Sequence, residues 1–507
     1  MGVFSMVGRA AIQDMMGLTG PPTPQQEPTI GLFFGVIIAV FLVGAATGGV
    51  LFGWLGDRIG RVRAMSLSVI TYAVFTGLCG FAHSPLQLGI LRFIAALGMG
   101  GEWSLGVALV MEVWPNRSRA LMAGLIGAAA NAGYLLVGVI GIGLAAVLSQ
   151  FETWLTGCGL GEATVKMLVA NKGWRLMMML GTLPALLTFF FRIFVPESHK
   201  WEAERGSGTT SNWVTTDLLG VLVGAIGPGM IVWVWADSST SVPVRIAGTM
   251  LGLLIATLGY LYPAVRFLQR TYSKFAESNS ENPPQANPQA AHPVGSTIRR
   301  MMLGACLSGV ALLGTWGSTQ WSMTWSGKLT EKVQVASDAP AIWKNPREYT
   351  QIVTAIGAIV GTIAAALMGD WLGRRLSYFL LCVFSLVSVL WFYQFHSEFG
   401  WEFLFSAFIA GVCTASFYGW LPLYLPELFA TKVRATGQGF AFNFGRILAA
   451  IGTLQVGAML NLVGRFKTYA GLEGGYPVAC SFICCIYFVG MVLIWFAPET
   501  KGQPLPE

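Results

Sequence analysis

Long stretches of apolar residues, separated by short polar loops, occupy almost the whole chain. A helix needs about 20 mainly apolar residues to cross the hydrocarbon core of a bilayer. The stretches that meet this length predict thirteen full membrane-spanning helices. They lie at roughly 30–52, 65–82, 86–111, 120–148, 174–195, 213–236, 244–268, 300–321, 350–369, 376–394, 402–426, 436–461 and 476–497.

The segment before the first of these spans is only mildly apolar and contains Arg9 and Asp14. Without its polar ends it is too short for a full span, and it lacks the basic start, apolar core and cleavage site of a signal peptide. We expect residues 1–19 to be the outer end of a first helix whose beginning is missing. The alternative is a short helix that lies in the membrane interface.

The spacing of the spans predicts three parts. Residues 1–195 form an N-terminal helical lobe with an incomplete first helix, and residues 300–507 form a C-terminal helical lobe. Residues 196–299 are a linker, and its two spans at about 213–268 predict an inserted helical hairpin. Two spans return the chain to the same side, so the hairpin leaves the orientation of every later span unchanged. We expect it to have a peripheral structural role.

Composition excludes a soluble protein. Hydrophobic residues make up 54% of the chain, charged residues 11%, and the mean hydropathy is +0.62, whereas about 25% of a typical soluble domain is charged. The formal net charge of +7 is scattered over short loops and forms no patch for nucleic acid. The eight cysteines include no C-x-x-C pair and have no histidine at ligand spacing, so neither a metal site nor a cofactor is predicted.

A charged loop recurs in the two halves of the chain. Residues 53–63 read GWLGDRIGRVR, and residues 366–375 read ALMGDWLGRR. Each copy keeps an acid, a glycine three residues later and an arginine directly after that glycine. A loop repeated in this way between apolar segments indicates two similar membrane halves. The matching positions are Asp57 with Asp370, Gly60 with Gly373, and Arg61 with Arg374.

A second repeat places an acid at the end of one span and an arginine at the start of the next. Glu112 and Arg119 flank the first of these loops, and Glu427 and Arg434 flank the second. Such acids can form charge-assisted hydrogen bonds with the arginine of the neighbouring charged loop. We therefore predict a latch at the cytoplasmic end, and its gating residues are Asp57, Arg61, Glu112, Arg119, Asp370, Arg374, Glu427 and Arg434.

The pattern G-x-L-x-D-x-x-G-R at residues 53–61 resembles the signature of the major facilitator superfamily of transporters. This resemblance implies an all-α membrane fold with two six-helix lobes, here with a truncated first helix and the inserted hairpin. It also implies alternating access without a cofactor. The P-E-S at 196–198 and the P-E-T-K-G at 498–502 resemble motifs of the sugar-porter-like branch. The R-x-x-x-x-x-G-x-G-G-E-W at 92–103 resembles symporters for organic acids and sialic acid, and the inserted hairpin resembles that of sialic-acid-transporter-like members.

Loop charge predicts the orientation in the membrane. If the loop 57–63 is cytoplasmic, alternation places the other charged loops and the C-terminus there as well. About 18 Lys and Arg residues then lie inside and about 11 outside, which is the bias expected of cytoplasmic loops. We therefore expect a multi-pass protein of the inner membrane, a monomer whose partners are the lipid bilayer, a small-molecule substrate and the proton.

Three ionisable side chains fall inside predicted spans: Arg92, Glu102 and Arg446. Such groups are costly in lipid and usually face a cavity or a partner. Arg446 lies about twelve residues beyond Arg434, which places it near the membrane midplane at about 1.5 Å per residue. Its guanidinium group suits a carboxylate in two-point contact, and Asn443 can add a hydrogen bond. In the alternative reading, Arg446 pairs with a carbonyl group or an acid of another helix.

The remaining site candidates lie in the N-terminal half. Arg92 is a candidate for substrate binding, and its alternative is to extend to the outer interface. Asn131 and Tyr134 are further candidates, in a stretch that lacks the Gly-Pro-rich pattern of antiporters and favours symport or uniport. Glu102 is the candidate proton site because carboxyl groups inside membranes serve in proton relays. Its alternative is a structural hydrogen bond within the lobe.

We predict a secondary transporter that carries a small organic anion, a carboxylate or an acidic sugar, together with a proton. The alternatives are a neutral sugar uniporter or symporter, and a transporter-like nutrient sensor. A sensor would need a signalling domain, whereas the longest loop is 269–299. An enzyme is not predicted, because the spans contain no paired carboxylates or histidine clusters and the chain has no nucleotide-binding loop. Acids often found early in the first helix of related proton symporters would fall in the missing part.

Overall fold

A computed structural model describes residues 2–18, 20, 22–23, 25–183, 190, 194–237, 239–281, 294–331, 340–470 and 475–506. Within these ranges the chain forms helices joined by short turns and contains no β-strand. The helices are α1 (Gly2–Met15), α2 (Glu27–Ile59), α3 (Arg61–Leu78), α4 (Pro85–Val113), α5 (Arg119–Gly157), α6 (Glu162–Leu180), α7 (His199–Gly206), α8 (Leu218–Ala236), α9 (Val242–Glu281), α10 (Val294–Gly317), α11 (Ser322–Glu331), α12 (Ala341–Lys344), α13 (Pro346–Leu372), α14 (Arg374–Gln394), α15 (Trp401–Ala415), α16 (Phe417–Tyr424), α17 (Arg434–Ala470), α18 (Tyr476–Cys484) and α19 (Ile486–Leu493).

Eleven helical segments within the described residues are long and apolar enough to cross a membrane. They coincide with eleven of the thirteen predicted spans, and the predicted all-α membrane fold is confirmed. The predicted span 436–461 lies within α17. The predicted span 174–195 lies partly outside the described residues.

The two sets of helices meet along two pairs. We call α1–α6 the N-terminal lobe and α10–α19 the C-terminal lobe; α2 packs against α17, and α5 packs against α13. Small residues allow helices to approach closely. A β-carbon on Gly53 would lie 2.8 Å from the carbonyl oxygen of Ala435, and one on Gly127 would lie 2.9 Å from the β-carbon of Thr362. The glycines are therefore required where the lobes touch.

Helix α1 packs at the end of the N-terminal lobe farthest from the charged loop. Asp14 accepts hydrogen bonds from the Nδ2 of Asn171 at 2.8 Å and the Nε1 of Trp174 at 3.1 Å. It also forms an ion pair with Arg175 at 3.1 Å, and Arg175 donates to the carbonyl oxygen of Gly80 in the turn after α3. These contacts pack α1 against the rest of the N-terminal lobe.

Helices α8 and α9 form the predicted hairpin, and they lie over the line where α2 meets α17. The first helix of the hairpin, α8, packs against both α2 and α17. The second, α9, carries Tyr260, whose hydroxyl shares a buried hydrogen bond of 2.7 Å with the Oγ1 of Thr47 on α2. Gly224 and Gly259 bring the two hairpin helices into backbone contact. The hairpin thus covers the seam between the lobes from outside.

The two P-E motifs cap equivalent helices in the two lobes. Glu197 accepts backbone hydrogen bonds from Arg61 at 2.8 Å and Val62 at 3.1 Å, at the start of α3. Glu499 accepts the corresponding bonds from Arg374 at 2.9 Å and Arg375 at 3.1 Å, at the start of α14. A carboxylate is favourable at a helix N-terminus because it satisfies free N–H groups and faces the positive end of the helix dipole.

The turn that presents these N–H groups depends on glycine. Gly60 and Gly373 have φ angles of +110° and +94°, in the region that side chains rarely adopt. Partial burial alone raises the pKa of a carboxyl group, but the backbone N–H donors around Glu499 outweigh this effect and hold its pKa below the ordinary value. The cap at α14 therefore works only while Glu499 is ionised.

This lowered pKa predicts a pH-dependent contribution to stability. The folded-state pKa of Glu499 lies below the unfolded value, so the carboxylate stabilises the fold above the ordinary carboxyl pKa and loses this effect as pH falls through the folded-state value. Glu499→Gln is expected to lower the melting temperature of the detergent-solubilised protein at pH 7. The difference from the parent should shrink as the pH falls below about 4.

The matched control is Glu398→Gln, which changes an exposed glutamate in the loop before α15. It should leave the melting temperature close to that of the parent at both pH values. Equal melting temperatures for Glu499→Gln and Glu398→Gln at pH 7 would contradict the capping role.

Candidate functional site

A central cavity of about 370 Å³ lies between the two lobes. Helices α4 and α5 line it from one side, and α10, α11, α13, α15, α16 and α17 line it from the other. Its described lining combines aromatic rings, methionines and uncharged polar groups, and none of these residues belongs to the hairpin α8–α9. The aromatic residues are Trp103, Tyr134, Trp316, Tyr418 and Phe442, and the amides are Asn131, Gln320 and Gln351.

Arg446 is the one charged residue in the described lining of this cavity. It is 92% buried from solvent, since its relative exposure is 8%. Its Nη1 is buried without a hydrogen-bond partner in the described part of the chain, and its guanidinium carbon lies 5.1 Å from the ring centroid of Phe442. A desolvated cation with unused donors favours an anion as its ligand.

Asn131 and Tyr134 also line the cavity. The Nδ2 of Asn131 donates to the carbonyl oxygen of Gly127 at 2.9 Å, so its amide oxygen remains available to a ligand. The hydroxyl of Tyr134 donates to the Oε1 of Gln320 at 3.3 Å, and the Nε2 of Gln351 donates to the carbonyl oxygen of Tyr134 at 2.7 Å. Both glutamines belong to the opposite lobe, so these bonds join the lobes across the cavity.

Gln320 reaches this position because of a break between α10 and α11. Helix α10 ends at Gly317, and Ser318 adopts φ −121° and ψ −75°, outside the helical region. A short 3₁₀ turn at Thr319–Trp321 then carries Gln320 towards Tyr134. The predicted span 300–321 is therefore a discontinuous helix, and the sequence pattern gave no sign of the break.

Three of the predicted site residues do not line the described cavity. Asn443 is fully buried and donates from its Nδ2 to the carbonyl oxygen of Gly100 at 3.2 Å, which links the lobes. Arg92 is buried inside the N-terminal lobe, with its guanidinium carbon 4.1 Å from the ring centroid of Phe41, and does not extend to the interface. Glu102 is half-buried on α4, directly before the lining residue Trp103.

Four of the predicted gating residues form one buried network: Asp57, Arg61, Glu112 and Arg434. The Nη1 of Arg61 lies 2.8 Å from the Oδ1 of Asp57, and its Nη2 lies 3.2 Å from the Oε1 of Glu112. The same oxygen of Glu112 lies 3.0 Å from the Nη1 of Arg434, the first residue of α17 in the other lobe. A single carboxylate thus binds one arginine from each lobe. We call the end of the molecule that carries this network the latch side.

Asp57 adds a second connection between the lobes. Its Oδ2 accepts hydrogen bonds from the backbone N–H of Thr436 at 2.9 Å and from the Thr436 Oγ1 at 2.6 Å. Thr436 lies in the first turn of α17, where free N–H groups and the helix dipole favour a carboxylate. Asp57 is therefore an interlobe cap of α17, and its placement requires the latch side to be closed.

In the C-terminal lobe, Arg374 pairs with an acid of its own lobe, and Asp370 differs from Asp57 in exposure. Arg374 makes a bidentate contact with Glu427, at 2.6 Å and 3.0 Å, and Arg119 interacts electrostatically with Glu427 from the N-terminal lobe. The side chain of Asp370 is 61% exposed and lies 3.6 Å from Arg374, whereas the side chain of Asp57 is 1% exposed. The two aspartates match in sequence but only Asp57 is enclosed between the lobes.

Sequence reasoning missed several groups that join the lobes between the latch and the cavity. The Nε2 of Gln438 donates to the carbonyl oxygen of Ser104 at 2.5 Å. The rings of Trp103 and Phe442 stack with centroids 3.6 Å apart and planes at 9°. Phe442 lies one helical turn before Arg446, and this i, i+4 spacing was the signal that could have identified it. Within the described residues, no group of histidine, cysteine and acidic side chains could hold a metal ion.

A family model described as "Sugar (and other) transporter" matches residues 23–221 and 322–507, which is more than half of the chain. The chain belongs to this transporter family. The fold agrees, because a proton:xylose symporter of the major facilitator superfamily, XylE bound to 6-bromo-6-deoxy-D-glucose, has a TM-score of 0.64 and 16% identity. That match covers 99% of this chain and 94% of the other. The predicted superfamily is confirmed: the protein is a multi-pass membrane transporter and not an enzyme.

Two bacterial relatives resemble the transporter along most of its length. A "Cis,cis-muconate transport protein" of Acinetobacter baylyi is 23% identical over 475 residues, which cover 93% of this chain and 86% of that protein. A "Probable 4-methylmuconolactone transporter" of Cupriavidus pinatubonensis is 25% identical over 468 residues, which cover 92% of this chain and 82% of that protein.

The geometry of Asp57 predicts that Asp57→Asn slows the transporter's conformational change more than it weakens binding. The substitution removes the charge from two interlobe hydrogen bonds and from the ion pair with Arg61. Hydrogen bonds to a charged group contribute about 1.5–3 kcal/mol each, so the balance between conformations should shift by about tenfold or more. We expect turnover to fall by about tenfold, while the Kd of a transported substrate changes by less than about threefold.

Asp370→Asn is the matched control because Asp370 is the sequence equivalent of Asp57 and is exposed. Uptake and binding are measured in proteoliposomes at equal protein content. We expect Asp370→Asn to reduce turnover much less than Asp57→Asn. Equal turnover in both variants and the parent would show that Asp57 does not hold the closed state.

Proposed function

We propose that this transporter carries a small organic anion across the membrane together with a proton, by alternating access. The observation that carries the proposal is the single cation of the cavity: Arg446 is desolvated, has an unused donor and has no acidic residue beside it in the described lining. A buried guanidinium whose donor has no hydrogen-bond partner is costly. A substrate carboxylate removes this cost, since it accepts two charge-assisted hydrogen bonds.

The rest of the lining supports a carboxylate with a flat or unsaturated body. Trp103, Trp316 and Phe442 offer aromatic surface, and Met99 and Met323 offer adaptable apolar contacts. A volume of about 370 Å³ suits a substrate of one ring or a short chain. The names of the two relatives above agree with this class of substrate.

A neutral sugar is the second candidate. The amides of Asn131, Gln320 and Gln351 lie around the cavity, and amide groups can bind the hydroxyl groups of a sugar. This reading leaves Arg446 with the electrostatic interaction of Glu102 but with no partner for its unused Nη1 donor. It therefore explains the amides better than the cation, and we favour the anion.

Proton coupling is assigned to Glu102. This carboxyl group lies in α4 beside the lining residue Trp103, and it interacts electrostatically with Arg446. An acid near the substrate-binding cation competes with the substrate for that positive charge. Protonation of Glu102 removes this competition, so the proton and the anion are taken up together.

The latch side is proposed to face the cytoplasm of a cell whose inner membrane holds the transporter. The backbone oxygen of Pro506 accepts a hydrogen bond of 2.6 Å from the Nη2 of Arg434, so the C-terminal residues lie on the latch side as well. Basic residues of the loop 57–63 support this orientation. Both lobes and the closed latch belong to one chain, which supports a monomer as the working unit.

The anion proposal predicts that Arg446→Gln abolishes carboxylate uptake. Loss of two charge-assisted hydrogen bonds weakens binding by about a hundredfold or more. Arg446→Lys should retain part of the activity because it keeps the charge but not the two-point geometry. The measurement is uptake in proteoliposomes of a panel of organic acids and neutral sugars, with competition between them.

Arg92→Lys is the control, since Arg92 is a second buried arginine that packs on an aromatic ring but lies outside the cavity. The folded Arg92→Lys protein should bind the carboxylate with a Kd within about twofold of the Kd of the parent. The anion proposal is wrong if both Arg446 variants carry a neutral sugar as well as the parent does and no carboxylate competes.

The coupling proposal predicts that Glu102→Gln separates exchange from accumulation. A glutamine cannot carry a proton, so the variant should still exchange substrate across the membrane but should not accumulate it when a pH gradient is imposed. Glu162→Gln changes an exposed glutamate at the start of α6 and should accumulate substrate like the parent. Accumulation by Glu102→Gln at the parent level would exclude Glu102 as the proton site.

A further inference from the structure

The cavity has an aromatic floor that is shared by the two lobes. Trp103 extends from α4 and Phe442 from α17, and their stacked rings both line the cavity. Phe442 is 1% exposed. Because the rings belong to different lobes, any motion that parts the lobes on this side must separate them.

Below this floor the seam between the lobes is closed. The Gln438 side chain bonds to the backbone of Ser104, and further towards the latch Arg434 forms an ion pair with Glu112. Gln438 lies one turn from Phe442 in the direction of the latch residue Arg434. The floor is therefore the boundary between the open cavity and the closed stretch of α17 from Phe442 to Arg434, which is about 12 Å long at about 1.5 Å per residue.

Arg446 touches the floor from the cavity. Its guanidinium carbon lies 5.1 Å from the ring centroid of Phe442, within the range of a cation–π interaction. Phe442 therefore contacts both Arg446 on the cavity side and Trp103 of the opposite lobe. The residue that is proposed to bind the substrate also holds one ring of the floor in place.

We propose that the Trp103–Phe442 pair is the inner gate of the cavity and that Arg446 connects this gate to the substrate. While the cavity is empty, the guanidinium group lies on the Phe442 ring and favours the stacked, closed arrangement. A bound carboxylate draws the guanidinium group towards itself and neutralises it, so the attraction for the ring is lost. The stack then separates more readily, and the substrate is released on the latch side. The link to substrate rests on the proposed function, whereas the gate itself rests on the stacked rings.

The gate is tested with a cysteine placed just below it. Ser104→Cys lies on the latch side of the floor, at a fully buried position, in a full-length protein whose exposed Cys158 and Cys485 are replaced by serine. Membrane vesicles of both orientations are treated with a membrane-impermeant maleimide, and labelling at position 104 is measured. This Ser104→Cys protein is the reference, and without a carboxylate we expect it to be labelled slowly. When Phe442→Leu is added, we expect labelling from the latch side to be about fivefold faster.

Two controls separate the gate from general loosening of the helix. Phe442→Tyr keeps an aromatic ring and should label like the reference. Phe444→Leu makes the same change two residues later on α17, where the ring stacks on Phe440 of its own helix, and should also label like the reference. If Phe442→Leu does not fold, Trp103→Leu removes the partner ring and carries the same expectation. If the Phe442→Leu protein, or the Trp103→Leu protein used in its place, is labelled at the rate of the reference, the proposed gate is wrong.

The link to substrate is tested by adding benzoate or cis,cis-muconate. We expect either probe that competes for uptake to accelerate labelling of the reference protein by about fivefold, and to have no effect when Arg446→Gln is present. A probe that competes for uptake but leaves labelling unchanged would overturn the link between Arg446 and the gate. If no carboxylate competes in the parent, the proposed substrate class fails, and the Phe442→Leu result still decides the gate.

Discussion

Closure of the latch side depends on the burial of four charges that cancel. The acids Asp57 and Glu112 form ion pairs with Arg61 and Arg434, and each of the four residues is at most 8% exposed. An isolated buried charge costs several kcal/mol, and removal of one partner from a buried pair costs about 3–5 kcal/mol. Arg434 comes from the C-terminal lobe and the other three from the N-terminal lobe, so the charges are balanced only while the lobes touch. The same network that stabilises the closed state must therefore become hydrated when the lobes separate.

The repeated sequences give the two lobes equivalent helix caps, but the aspartates of the two charged loops make different contacts. Glu197 and Glu499 cap equivalent helices with nearly identical hydrogen bonds, because each cap needs only its own lobe. The two aspartates of the charged loops differ because their environment depends on the other lobe: Asp57 meets the N-terminus of α17, whereas Asp370 is exposed. The hairpin lies over the same α2–α17 line. The described contacts on the latch side thus meet at α17, which Asp57 joins to α2 and Glu112 joins to α4.

Helix α17 connects the latch to the cavity. It begins with Arg434 in the charge network and carries Arg446 in the cavity lining, twelve residues later. Between them, Gln438 and Phe442 each contact α4 of the opposite lobe. A helix is rigid over this length, so a displacement at either arginine moves all the contacts between them. This arrangement lets the charge of a substrate affect a closure that lies about 18 Å away.

The sequence by itself determined the membrane class, eleven of the spans, the repeated charged loops and the two P-E motifs, because these follow from local composition and spacing. It also identified Arg446, since a cation in the middle of an apolar span needs a partner. Only the tertiary structure decided which face each helix presents. Asn443 lies three residues from Arg446 and yet contacts the N-terminal lobe, Arg92 is enclosed by aromatic rings, and Asp370 is exposed. A membrane helix is apolar on all sides, so its sequence has no amphipathic period that reveals its orientation, and the orientation is fixed only when the lobes pack together.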